Sequence, residues 1–490
     1  MRRVLLLLLA VGLAAVAAGC GSSKQPLDEA LGYVPKDSPF VVAIETDTGS
    51  DQYKTLGQLV RRFPFGGLVG DALKREFERS AGVDFDRDIK PLLGNDFVVG
   101  ATNTRSFGAG SAGSHFVGAI KSKDKGKLQQ LVKRTGVTKD GAKDGASIYR
   151  DNQGNEFAIK GGTLVVAGSR AELEDALARR ADGKGLARKT FDDSAQGLRS
   201  TALVRGFFDV GGLLRKSPGA AQALRIPWVG ALRTFGFTGR AENDGVHVDF
   251  DLKSNRSKLT SRQLPLASGA GAPPIVRRPR EISIGVRDPG QIVDFVLQAG
   301  EAASPQLGAG RRQLEQVAGI DLKRDVADQL AGAASLNIAL TGAFGARANV
   351  RDPAAVKRTL RKLVATLPRL AISSRRGPVR LTRIKGGLYA FKGPGRRRAV
   401  FGVIGRTLVA ASTQARAREL AGARPESVPG VTGSLVLEAD TRRLVEELIR
   451  RFAPRTGIGT SAFTAPLGEL TGSVTSDTGG LRGSLKLAIH

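Results

Sequence analysis

A nine-residue segment occurs twice in this 490-residue chain, 237 positions apart, and that recurrence limits the fold more than any other feature. Ala81-Gly82-Val83-Asp84-Phe85-Asp86-Arg87-Asp88-Ile89 is answered by Ala318-Gly319-Ile320-Asp321-Leu322-Lys323-Arg324-Asp325-Val326, with five identities and three exchanges between apolar residues. The flanks keep step. Thr163-Leu164-Val165-Val166-Ala167 corresponds to Thr407-Leu408-Val409-Ala410-Ala411, and Phe237-Thr238-Gly239 before Asp244-Gly245 corresponds to Leu470-Thr471-Gly472 before Asp477 to Gly480. A repeat this long implies two domains of one topology rather than a stack of short units.

Pattern supplies the elements. Phe40 to Ile44 and Ile282 to Val286 read as opening strands, and Val246 to Leu252 alternates as a half-buried antiparallel strand does. Helices are expected over Asp51 to Arg62, Gly67 to Ser80, Asp288 to Ala303 and Arg311 to Ala318. Ser169-Arg170-Ala171-Glu172 forms a capping box, and Asp352-Pro353 places an N-cap before a proline at the first helical position. Val356, Leu360, Leu363, Val364 and Leu367 then make one buried stripe. The predicted class is α+β: two duplicated domains of mainly antiparallel sheet with helices packed on one face. The predicted division is 28–253 for the first repeat, 254–280 for a Pro- and Gly-rich linker and 281–490 for the second repeat.

Tyr33-Val34-Pro35-Lys36-Asp37-Ser38-Pro39 leading into a strand, followed by the Gly-x-Asp-x-x-x-Asp turn at Gly82 and again at Gly319, resembles a large uncharacterised bacterial family. It is the domain-of-unknown-function family 3352, in its actinobacterial lipoprotein type. The resemblance implies an exported or membrane-tethered protein over nearly all of 28–490, and it brings no catalytic residues. The second copy departs from the opening motif, with Pro274-Ile275-Val276-Arg277-Arg278-Pro279 in its place.

The N-terminus agrees with export. Arg2 and Arg3 precede an uncharged run from Val4 to Ala18, and Ala17-Ala18-Gly19 leads into Cys20, the chain's single cysteine. About 15 apolar residues suit a secretory signal better than a membrane span. Residues 1–19 are therefore expected to be a signal peptide, Cys20 the site of lipidation, and 20–27 a lipid-anchored tether. Cleavage of a soluble secreted protein after Val16-Ala17-Ala18 is the alternative. With the lone thiol committed to the anchor, no disulfide can form within the chain.

Few reactive groups remain. There are three histidines, His115, His247 and His490, none with metal-ligand spacing in the sequence. Asp84, Asp86 and Asp88 have the alternation of a calcium loop, but Ile89 and Asn95 stand where glycine and glutamate are needed, so a capped structural turn is expected. No phosphate-binding loop appears. No catalytic residue, metal or cofactor is expected.

Charge is the remaining signal. The net charge is +29, and no acidic residue occurs between Asp352 and Glu419, whereas residues 51–100 carry eight basic and eight acidic side chains. Such segregation makes a local positive field. The candidate anionic-surface residues are Lys357, Arg358, Arg361, Lys362, Arg375, Arg376, Arg396, Arg397 and Arg398. With aromatic content of 5%, nucleic acid is disfavoured as a partner. Anionic phospholipid is within reach, since a tether from Cys20 to Asp28 spans only about 30 Å; an acidic wall polymer is the other candidate.

The leading expectation is a lipid-anchored envelope protein on the extracytoplasmic face of the cell membrane, acting as a non-catalytic binding or structural module. Two alternatives stay open: a carrier of lipids or lipid-linked precursors in an apolar cavity, and a wall-directed hydrolase with acids converging in one cleft.

Overall fold

The computed structural model describes all residues except 1–24, 65, 68–73, 77, 80–81, 105–114, 152–153, 372–379, 393–397 and 453–459. It is a mixed α+β chain with twenty antiparallel strands among the described residues. The chain forms two compact units. The first comprises residues 1–216, 233–252 and 489–490, the second 217–232 and 253–488.

In the first unit the strands are β1 (Phe40–Ile44), β2 (Phe97–Ala101), β3 (Phe116–Lys121), β4 (Thr138–Lys143), β5 (Ala146–Arg150), β6 (Glu156–Lys160), β7 (Thr163–Ala167), β8 (Val204–Phe208), β9 (Leu232–Glu242) and β10 (Gly245–Ser254). They pair in the order β4-β5-β6-β7-β3-β2-β1-β8-β9-β10. In the second unit the strands are β11 (Glu281–Arg287), β12 (Leu330–Ala339), β13 (Phe344–Val350), β14 (Arg380–Ile384), β15 (Leu388–Lys392), β16 (Arg398–Ile404), β17 (Thr407–Ala411), β18 (Leu435–Asp440), β19 (Leu467–Asp477) and β20 (Gly480–Ile489). Their order is β14-β15-β16-β17-β13-β12-β11-β18-β19-β20, the same sequence of pairings displaced by ten strands. Each opening strand is hydrogen-bonded on both edges: Val41 faces Gly100 and Phe207, and Ile284 faces Leu336 and Leu437.

The repeated nine-residue segment builds the same turn in both units. Gly82 and Gly319 hold φ of 67° and 59°, a left-handed conformation that costs glycine least. Asp84 Oδ1 accepts from the Arg87 N–H at 2.7 Å, and Asp321 Oδ1 from the Arg324 N–H at 2.8 Å. Asp88 Oδ2 accepts from the Asp84 N–H, and Asp325 Oδ2 from the Asp321 N–H, both at 2.9 Å. Glu78 Oε1 accepts from the Phe85 N–H and Glu315 Oε1 from the Leu322 N–H, both at 3.0 Å. The charge reversal between Asp86 and Lys323 is absorbed locally. Asp86 pairs with Lys74 and Lys90, and Lys323 with Asp328.

Helices cover both faces of the sheets, where the sequence predicted one face. In β17, Val409 and Ala411 pack with Ala417 and Leu420 of the helix Gln414–Gly422. Leu408, pointing the other way, packs with Val356 and Leu360 of the helix Pro353–Ala371. In the first unit Ala119 of β3 joins the cluster holding Leu173 and Leu177, whereas its neighbour Ile120 packs with Tyr53 and Phe85. Within the segment 254–280, Leu264 and Ile275 are fully buried, and Ile275 bridges to Glu426. Residues Arg311 to Ala318 belong to a longer helix, Pro305–Ala318, which starts on a proline.

Asp88 is buried and pairs with Arg87 and Arg134, and these guanidinium donors hold its carboxyl well below the usual carboxylate range. Its contribution is therefore present at neutral pH and lost as the solution is acidified. Asp88→Asn should destabilise the chain by about 1–3 kcal/mol at neutral pH, in urea unfolding. The difference from the parent should shrink in acid.

Candidate functional site

The basic surface of the second unit begins at the helix Pro353–Ala371. Asp352 caps it, accepting from the N–H groups of Ala354 and Ala355 at 2.8 and 2.9 Å, and these donors lower its pKa. Val356 and Thr359 are buried, which turns Lys357, Arg358, Arg361 and Lys362 outward, all four exposed. Arg358 lies 4.0 Å from Asp352, and Lys362 Nζ donates to the Gly319 carbonyl at 2.8 Å. The helix thus presents four cations in two consecutive turns, with Asp352 at its capped end beside Arg358 and Asp325 within the field of Lys362. Cys20, Arg375, Arg376, Arg396 and Arg397 lie outside the described residues.

Arg398 belongs to a different constellation. Strand register sets it opposite Lys392, and Lys392 opposite Arg380, so that three cations from β14, β15 and β16 occupy one row. All three are exposed, and among the described residues no carboxylate pairs with any of them. On the same face the row is followed by Thr382, Ala390 and Val400, then by Ile384 and Leu388, which join the cluster under the helix Gln414–Gly422. The sequence list held Arg398 but neither Arg380 nor Lys392 as site residues. Their alignment is a property of hairpin register.

The matching row of the first unit is Thr138, Arg150 and Glu156. There the charge is closed internally. Arg150 Nη2 donates to Asp140 at 2.6 Å and to Glu156 at 2.7 Å, and Arg170 lies 3.4 and 3.3 Å from the same carboxylates. In the second unit Gln414 follows the capping Thr413 as Arg170 follows Ser169, and its amide donates to the Lys385 carbonyl instead.

Two of the three histidines lie against carboxylates. His115 Nδ1 lies 3.0 Å from Glu172, which also accepts from Thr102. The fold brings His247 to 2.9 Å from Asp244 and 3.6 Å from Glu242, a juxtaposition that the sequence spacing did not reveal. Each could offer a ligand atom to a metal ion. Glu242 is, however, engaged by Arg240 at 2.6 Å, and that bond lowers its pKa. A cleft of about 780 Å³ in the first unit is lined by Asp47, Asp86, Asp124, Lys90, Lys123 and Lys125, with the two signs balanced. The second unit holds smaller clefts of about 470 and 340 Å³, with Arg277, Arg278 and Glu419 in one and Arg262, Arg287 and Asp288 in the other.

Residues 3–210 match the DUF3352 family model, described as a protein of unknown function. The DUF3352 match takes in β1 to β8 and ends before the second nine-residue turn, a shorter span than the sequence motifs implied. No curated protein matches the chain. Among solved structures, crystal form I of TP0453 aligns at 13% identity over 51% of this chain and 88% of that one, with a TM-score of 0.28. Crystal form III of TP0453 aligns at 12% identity over 51% and 90%, with a TM-score of 0.27.

One carboxyl stands out electrostatically. Burial pushes Glu45 up from 4.5 to about 7, and Asp96 and Asp47 act in the same direction against the Ser50 hydrogen bond and Arg205. The folded state therefore binds this proton more tightly than the unfolded chain does, and stability falls as pH rises through that window. Glu45→Gln should leave stability unchanged near about pH 5 and raise it near about pH 8, measured by urea unfolding at both values.

Proposed function

We propose that this chain is a lipid-anchored protein on the extracytoplasmic face of the cell membrane. In this reading it is a non-catalytic binding module built from two copies of one α+β plan. One observation carries the reading: both units have the same ten-strand order and the same turn hydrogen bonds, yet the corresponding row of their outer strands is compensated in one and purely cationic in the other. In the first unit Arg150 is closed by Asp140 and Glu156, whereas among the described residues of the second unit no carboxylate pairs with Lys357, Arg361, Arg380, Lys392 or Arg398. A scaffold that tolerates either sign does not itself require the open cations, so they are assigned to a partner.

The helix Pro353–Ala371 is the membrane-facing element of this proposal. Lys357, Arg358, Arg361 and Lys362 would each add roughly 1 kcal/mol near an anionic leaflet, fading over about 8 Å at physiological salt. Acyl chains on Cys20 would supply the attachment at about 0.8 kcal/mol per buried CH₂. The basic helix would then set orientation rather than affinity. The carrier alternative draws less support, because the three clefts described above are lined with charged side chains.

Two measurements test this. Radiolabelled fatty acid should be incorporated into the parent chain and not into Cys20→Ser, which should leave the membrane fraction; equal labelling would refute the anchor. In the unacylated chain, replacing Lys357, Arg358, Arg361 and Lys362 together with Gln should weaken salt-sensitive binding to vesicles containing phosphatidylglycerol. Unchanged vesicle binding would remove the helix from the reading.

A further inference from the structure

The row formed by Arg380, Lys392 and Arg398 is unusual for a sheet. Like charges placed directly opposite each other on neighbouring strands oppose pairing, and here three strands in succession do so. The corresponding row of the first unit offers the ordinary solution, a carboxylate beside its single arginine. We propose that Arg380, Lys392 and Arg398 bind a linear polyanion, a chain carrying consecutive phosphate groups, laid across β14, β15 and β16. The proposal rests on the reading of the second unit as the anion-facing one, but it concerns a surface separate from the basic helix.

The geometry and chemistry of the row favour this occupant. Strands lie about 4.8 Å apart, so the cations form a line about 10 Å long from the first to the third. A chain of phosphates can engage all three positions at once, each cation with its own group. The row is bounded on its inner side. Its inner neighbours are Thr382, Ala390 and Val400, uncharged and leading straight to the apolar cluster around Leu388.

Position excludes a flat bilayer as the partner of both basic surfaces at once. The row shares its sheet face with Leu388, Val400 and the helix Gln414–Gly422. The helix Pro353–Ala371 packs on the opposite face, against Val403 and Leu408. A plane touching Lys357 and Arg361 therefore leaves the row clear. Two arginines in the set also favour phosphate, because the guanidinium fork can donate two parallel hydrogen bonds to one group.

The test uses the full chain, unacylated, and fluorescent linear polyphosphate as the probe. Replacing Arg380, Lys392 and Arg398 together with Gln should weaken polyphosphate binding by about tenfold or more, the scale expected for loss of three charge-assisted contacts. The melting temperature should stay level or rise, because like-charge opposition is relieved. Should the triple variant fail to fold, Arg398→Glu alone reproduces the compensated row of the first unit and should also lose binding. The Gln variant of the four helix cations should keep its affinity for polyphosphate while losing affinity for phosphatidylglycerol vesicles. Undiminished polyphosphate binding by a folded triple variant or by folded Arg398→Glu would overturn the proposal. So would displacement of the probe by inorganic phosphate at equal phosphate concentration, or a loss of vesicle binding in the triple variant as large as its loss of polyphosphate binding.

Discussion

The opening strand of each unit, β1 or β11, is held by backbone hydrogen bonds along both edges, and the other elements are arranged around that double pairing. A single cysteine at position 20 leaves the chain no internal disulfide, so order must come from pairing and packing. Each opening strand brings together partners distant in sequence, β2 with β8 and β12 with β18. The intervening strands then form a continuous run on one side of it. Helices can bury apolar side chains on either face of that frame, which gives each unit more than one core.

Charge is managed at a different level from fold. The turn carboxylates, Asp88 and Asp325, are tied to backbone N–H groups and to the neighbouring arginine in the same manner in both units. Positions facing outward are free to differ. Asp86 and Lys323 occupy equivalent places with opposite sign, each with its own local counter-ion. The row of β14 to β16 differs in a further respect, because no acid accompanies its cations among the described residues. That contrast, within one chain and on one topology, separates what the sheet needs from what its surface offers.

The turn and the helix starts were legible in the sequence because they depend on short-range chemistry. Ser169 accepts from the Glu172 N–H, Asp352 from two N–H groups, and Gly82 and Gly319 take the left-handed turn, each within a few residues. The placement of helices on both faces was not read. The signal was present in Thr407 to Ala411, where apolar residues occupy both alternating sets, the mark of a strand covered on both sides. The cationic row was hidden for another reason. Arg380, Lys392 and Arg398 are separated by 12 and 6 positions, and only the register of two hairpins makes them neighbours. The meeting of His247 with Glu242 and Asp244 likewise depends on the hairpin between β9 and β10.

The terminal strand on one side of each sheet has a consequence for chains crowded together on a surface. β4 carries Lys139 and Lys143 and is interrupted by a bulge between Lys139 and Ala142, while β14 carries Arg380 and Arg383, both exposed. A bare strand edge is a template on which a neighbouring chain can add, and lysine, arginine and bulges are what discourage it. Both sheets are therefore poor nuclei for intermolecular β-aggregation, even at high local density.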